Sequence, residues 1–261
     1  QSYNNRRIFS RIPLLKRGKL FYYHLFAWLY GKAGRACSLV FVNSTWTKNH
    51  INSLWNIPNK TMVLYPPCNT SELSNLPLNS RESDKIISIA QFRPEKDHAL
   101  QIKSFARMLE IKNNRTYKLI LIGSCRHKDD EALVKGLREL AKELNVEDNI
   151  QFELNVPFST LKEWFGKAQY GIHTMWCEHF GIGIVELMAS GLVIVAHNSG
   201  GPSFDIVRPH DGQETGFLAS TVEEYADTMA KMVSLSNDEI TKIQLAAREQ
   251  VKLFSDEVFK T

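Results

Sequence analysis

From Lys85 onward the sequence alternates short, almost continuously apolar runs with helical segments of ten to sixteen residues, and few folds accommodate that rhythm. The runs are "KIISIAQ" (85–91), "KLILIG" (118–123), "IQFEL" (150–154), "YGIHTM" (170–175) and "LVIVAH" (192–197). Branched residues dominate them and polar positions hardly interrupt them, which is the pattern of strands buried on both faces of a parallel sheet. The spacers at 98–112, 129–145, 158–168 and 181–190 carry helical periodicity, and 221–255 reads as two amphipathic helices. The expectation is a doubly wound α/β domain whose ligand lies beyond the carboxyl ends of the strands.

The first third of the chain follows another pattern. A strand at 39–42 leads into Asn43 or Ser44 as a helix cap and a helix carrying Trp46 and Ile51; "KTMVLYPPC" gives a second strand stopped by Pro66 and Pro67. The turn-rich "NTSELSNLPLNSRESD" reads as a linker, so residues 1–75 are expected to belong to one unit and 76–261 to another. A chain of 261 residues with 43% hydrophobic content suits one full core and part of a second. The chain begins at Gln1 without a signal-peptide pattern, and is expected to be an internal piece of a longer protein.

Charge narrows the ligand. The net charge of +4 favours an anionic small molecule or surface and does not call for nucleic acid. Arg6, Arg7, Arg11, Lys16, Arg17 and Lys19 crowd the first twenty residues, followed by the apolar and aromatic "LFYYHLFAWLY". That run is too short to cross a bilayer; it reads either as a buried helix or as a segment lying on an anionic membrane face. Cys37, Cys68, Cys125 and Cys177 form no CxxC pair, which leaves no zinc ribbon or dense disulfide framework.

The strand-end loops carry the chemistry. "FRPEKDH" brings Arg93 and Lys96, "GSCRHKDD" follows the second strand, "WCEHFGIG" the fourth and "NSGGPSFD" the fifth. Cations, glycines and a helix starting near Gly181 make a phosphate site. GxGxxG and GxxxxGK[ST] are both absent at the required places, since "GIGIVE" ends in Glu186, so the dinucleotide and P-loop readings fall. Glu178 and Glu186 lie eight apart around that helix start, and carboxylates accept hydrogen bonds from sugar hydroxyls. One would hold a transferred sugar and the other a ribose, with the diphosphate between them: a nucleotide-sugar. Two glutamates so spaced often sit on a solvated helix face, but Glu178 directly follows a buried strand. A glycosidase carboxylate pair would leave the cationic loops without a purpose. His173, Cys177 and His179 match no common zinc spacing, and His173 reads as a core residue. Asp129 and Asp130 fit either half of a metal cluster or the acids of a helix N-terminus.

The segment "EHFGIGIVE", with "PEK" and "NSGGP", resembles the donor motifs of GT-B glycosyltransferases of the retaining family 4 type. "NSTWTKNHI", "LYPPC", "QFRPEKDHALQI", "HTMWCEHFGIGIVE" and "AHNSGGPSFDIV" are similar to the eukaryotic α-1,2-mannosyltransferases within it, along the whole chain. The resemblance implies a Rossmann-like donor domain preceded by the tail of an acceptor domain. It also implies mannose transfer from GDP-mannose to a dolichol-diphosphate-linked oligosaccharide, with retention, without a metal or other cofactor, on the cytosolic face of the endoplasmic reticulum membrane, with other mannosyltransferases of the pathway as partners. By the same resemblance Glu178 contacts the donor sugar, backbone amides at Phe180, Gly181 and Ile182 the sugar and diphosphate, Glu186 the ribose, and Lys96 the phosphate. The family's arginine is replaced by Gln91, and Arg93 is the candidate to supply its charge. Acceptor-binding residues are expected to be largely missing, so that the 261 residues alone bind donor weakly and transfer nothing. The residues leave the base open between GDP and UDP, and leave a non-catalytic, membrane-docked scaffold as the alternative.

Overall fold

The computed structural model describes residues 13–260. The arginines Arg6, Arg7 and Arg11 lie outside them. A long helix, α1 (Pro13–Arg35), leads into strand β1 (Val40–Val42), helix α2 (Thr45–Trp55) and strand β2 (Thr61–Val63); β1 and β2 pair in parallel. Ser44 is the cap of α2, accepting the Thr47 N–H. Then come α3 (Thr70–Ser74), β3 (Glu82–Ile89), α4 (His98–Lys112), β4 (Lys118–Gly123), α5 (Lys128–Glu143), β5 (Ile150–Leu154), α6 (Phe158–Lys167), β6 (Ala168–Ile172), α7 (Ile182–Ala189), β7 (Val193–His197), β8 (Phe217–Ala219), α8 (Val222–Met232), α9 (Asn237–Val251) and α10 (Asp256–Lys260).

Strands β3 to β8 form one parallel sheet in the order β5-β4-β3-β6-β7-β8. The chain builds outward from β3 to β5, returns to lay β6 on the other side of β3, and builds outward again. The order therefore reverses between β3 and β6, and ligands of doubly wound sheets bind at such a reversal. Alternate residues of each strand feed two cores. Ile86, Leu119, Leu121, Val193 and Val195 meet Phe105, Met108, Tyr225 and Met229 on one face. Ile87, Ile120, Ile122, Ile194 and Ala196 meet Phe165, Val185, Leu187 and Val251 on the other. Covering both faces explains why the strands read as continuous apolar runs.

Four features depart from the sequence reading. The expected linker holds α3, whose Thr70 and Leu73 are buried, and the first residues of β3. A last strand, β8, follows residues that gave no strand signal, because three residues carry no period. The strand expected to reach residue 175 ends at Ile172, and 173–175 begin a loop whose His173 lines the cleft. Finally, residues 20–30 are not a buried helix: Phe21, Tyr22, Phe26, Trp28 and Leu29 are all more than half exposed. Helix α1 touches α2 through small residues, Gly34 lying so close that an added Cβ would stand 2.1 Å from the Trp55 ring. Among the described residues no helix is long and apolar enough to cross a membrane.

Asp205, on a wide turn at Pro202–Ile206, ties the N-terminal elements to the sheet. Its buried carboxylate accepts the Thr45 N–H at the start of α2 and the Tyr65 hydroxyl, each at 2.9 Å. Burial and that carboxylate push the Tyr65 phenol up to about 12. The chain's end returns to the same joint, where the Cys68 N–H donates to the Phe254 carbonyl and Ser71 to Glu257.

Candidate functional site

The loop 173–181 leaves β6 at the reversal and is held from three sides. Thr174 donates to the Lys96 carbonyl at 2.8 Å and accepts from Gln101, which locks the turn after β3 to the loop after β6. The Cys177 N–H donates to Ser199 Oγ, and the Gly201 N–H to the Glu178 carbonyl, both at 2.8 Å. The "NSGG" stretch thus seats the Glu178 loop. Gly200 has φ +62° and Gly201 packs on the Phe180 backbone, where an added Cβ would stand 2.5 Å from a carbonyl oxygen. Only glycine leaves that approach open.

On this frame Lys96 Nζ stands 2.5 Å from Glu178 Oε2 and 3.1 Å from Met175 Sδ. His173 Nε2 approaches the same carboxylate oxygen at 3.5 Å. Burial alone would raise the Glu178 carboxyl, but hydrogen bonds from His173 and Lys96, and their charge, overcome it and hold the group at about 2. His173 is buried as a core residue would be, yet it belongs to the site. Nothing local in "YGIHTM" marks it, because only the end of β6 at Ile172 decides which way its ring turns.

Helix α7 starts at Gly181, φ +115°, with no side chain capping its first amides. Those amides and the helix dipole lie between Glu178 and Glu186, where an oxyanion would be stabilised. The Phe180 ring is buried against Tyr65 and Phe254, so only its backbone is available to a ligand. Two cavities meet here. One of about 400 Å³ is lined by Glu178, His173, Lys96, Gly181, Asn43 and Pro66. The other, about 690 Å³, has Lys96, Gln91, Arg126, Asn155, Val156 and Glu186 on its walls. Both include Lys96, Ile89, Ile182 and Gly183, which makes them one cleft along the carboxyl edge of the sheet, with Glu178 at one end and Glu186 further along. Burial raises the Glu186 carboxyl, which has no side-chain partner among the described residues.

Lys96, Gly181, Ile182, Glu178 and Glu186 therefore converge. Arg93 does not join them: it is exposed and lines neither cavity. It lies instead near Asp130, whose carboxylate is held low by the Arg126 and His127 N–H groups and, to a smaller degree, by the charges of His127 and Arg93. Asp130 closes a capping box at the start of α5, and no group of three His, Cys, Asp or Glu gathers among the described residues. Arg126, in a loop that the sequence marked only as cationic, is the second positive side chain of the larger cavity.

Residues 72–250 match the family described as glycosyl transferases group 1, and residues 1–55 match the ALG11 mannosyltransferase N-terminus. The chain belongs to the group 1 glycosyl transferases. Among relatives of this group 1 chain, the GDP-Man:Man(3)GlcNAc(2)-PP-Dol alpha-1,2-mannosyltransferases of Mus musculus and Homo sapiens are 50% and 47% identical. Each alignment takes in 99% of this chain and 54% of the relative, so the chain spans about half the length of these relatives. The fold matches a glycosyltransferase from Rickettsia africae at TM-score 0.75, with 21% identity over 88% of this chain and 64% of that one. Anabaena HepE in complex with UDP gives 0.73, with 19% identity over 87% and 62%. The fold is thus α/β of the GT-B type, as the motifs implied.

Proposed function

We propose that this group 1 glycosyl transferase chain carries the donor site of an α-1,2-mannosyltransferase. It would transfer mannose, with retention, from GDP-mannose to a dolichol-diphosphate-linked oligosaccharide. The observation that carries the reading is the single cleft in which Glu178, Lys96 with the α7 amides, and Glu186 succeed one another. Glu178 takes hydroxyls of the mannose, Lys96 and the amides of Gly181 and Ile182 take the diphosphate, and Glu186 takes the ribose. As the bond from the anomeric carbon to the phosphate oxygen breaks, negative charge grows on the diphosphate next to a cation and a helix N-terminus, where it is stabilised most. The acceptor hydroxyl attacks on the same face and gives its proton to the departing phosphate oxygen. With cationic and amide donors meeting the diphosphate, no resident metal or cofactor is required, and transfer should survive chelation with EDTA. The identity to mannosyltransferases of that name supports mannose, GDP and the lipid-linked acceptor.

The same reading places the protein on the cytosolic face of the endoplasmic reticulum membrane. In support, residues 1–71 hold ten Lys and Arg and no Asp or Glu, and α1 presents Phe21, Phe26 and Trp28 to the outside. Other mannosyltransferases of the pathway are the partners this location would offer; no nucleic acid is involved.

Calorimetric titration with GDP, GDP-mannose and UDP, beside the Glu186→Ala variant, tests the reading. GDP-selective binding that weakens in the variant supports the donor and the ribose role together. Preference for UDP would overturn the substrate, and absence of binding to any of the three would overturn the donor site in favour of a scaffold.

A further inference from the structure

Sheet order arranges the parts of a nucleotide-sugar along the cleft. Glu178 follows β6, Lys96 follows β3, Arg126 follows β4, and Asn155 and Val156 follow β5, and these strands stand side by side in that order. With the sugar at Glu178 and the diphosphate at Lys96, the base falls against the loops after β4 and β5. We propose that Arg126 selects the base, reading guanine through its adjacent O6 and N7 acceptors; the inference rests on the GDP-mannose reading above.

Three observations carry it. Arg126 and Lys96 are the two cations of the larger cavity, and Lys96 is committed to the diphosphate end. The Arg126 backbone is pinned on both sides: its N–H donates to Asp130 at 2.9 Å, and the preceding Cys125 is bonded in both directions to the Asn155 side chain, at 2.9 and 2.8 Å. Its guanidinium, in contrast, is exposed and has no hydrogen bond or ion pair among the described residues. A cation on a fixed backbone with an unengaged fork is built for a planar ligand with paired acceptors. Guanine offers such a pair on one edge, whereas adenine replaces O6 with an amino donor. Uracil sets O4 beside an N–H and has no matching pair. Asn155 cannot supply the pair of donors, since one of the two N–H groups of its amide is used by Cys125.

The test titrates the intact protein with GDP, 7-deaza-GDP and UDP, for the natural sequence, Arg126→Ala and Arg126→Lys. A bidentate contact predicts that the natural protein prefers GDP to 7-deaza-GDP and to UDP by roughly 10- to 100-fold. Arg126→Ala should bind GDP and 7-deaza-GDP equally, both more weakly than the natural protein, and leave UDP unchanged; Arg126→Lys, which keeps charge without the fork, should recover only part of the preference. Equal weakening of all three nucleotides would make Arg126 a phosphate contact and overturn the proposal, as would a GDP preference that survives in Arg126→Ala. A natural protein without preference for GDP would overturn the donor reading itself, which separates the two failures.

Discussion

Lys96 Nζ lies 2.5 Å from Glu178 Oε2, across the point where the strand order reverses, and His173 Nε2 shares that oxygen at 3.5 Å. Both side chains of the ion pair are mostly buried, so the pair is screened less than a surface one. In the proposed reading, a diphosphate entering the cleft would compete with Glu178 for Lys96, and sugar hydroxyls would replace what Glu178 gives up. Lys96→Ala would, on that reading, remove the cation from the diphosphate; it leaves Glu178 with His173 and the His179 N–H. Transfer measured in the intact protein should fall by roughly 10²- to 10³-fold, with GDP affinity falling as well.

The hold on Glu178 sets a pH dependence. Its folded value, about 2, lies below the ordinary 4.5, so its contribution to stability is fully present above about 4.5 and is lost as pH falls towards about 2. His173→Phe keeps the volume and removes one of the two side-chain hydrogen bonds to Glu178, leaving burial less opposed. The low-pH fall in kcat/KM should then move to higher pH, and a pH profile that stays in place would show that His173 only fills space.

Glu186 has the opposite sign. Burial raises its carboxyl, so the folded state holds its proton more tightly than the unfolded chain, and stability declines as pH rises from the ordinary carboxylate range through the folded value. At neutral pH the charge therefore opposes folding. Glu186→Gln should raise the thermal midpoint at pH 7 while weakening GDP binding, a stability gain at the expense of function. Thermal melts with and without GDP measure both effects.

Gly200 tests the seat of the Glu178 loop. An added Cβ would stand 2.2 Å from the Glu178 carbonyl oxygen, on a residue with φ +62°. Left-handed backbone alone costs a non-glycine residue roughly 1–2 kcal/mol, and the clash displaces the backbone of the Glu178 loop. Gly200→Ala should lower the melting temperature and reduce transfer by roughly 100-fold, as a displacement of about 1 Å at a reacting group does. Gly212→Ala, also at positive φ but with open space around it, should show the stability loss without the loss of transfer.

Everything that repeats at short range is legible along the chain. The runs 118–123 and 150–154 coincide with β4 and β5, and 98–112 with α4: β4 is covered on both faces and apolar almost throughout, the edge strand β5 alternates apolar with polar residues, and helix periodicity survives in the surface pattern. Glu178 and Glu186 were legible for the same reason, as eight residues bracket one helix start whatever surrounds it. Which side chains meet across the sheet follows from the folded arrangement alone. Thr45 and Asp205, 160 residues apart, share a hydrogen bond, and no local pattern announces it. Arg93 and Arg126 are both loop cations in the sequence; the turn after β3 leaves Arg93 outside the cleft, whereas the Asp130 and Asn155 clamps set Arg126 in its wall. His173 became part of the site because β6 ends one residue before it. A periodic pattern records the neighbours a residue has along its own element, while a site is made of neighbours brought together by the order of strands, and that order is written in no single segment.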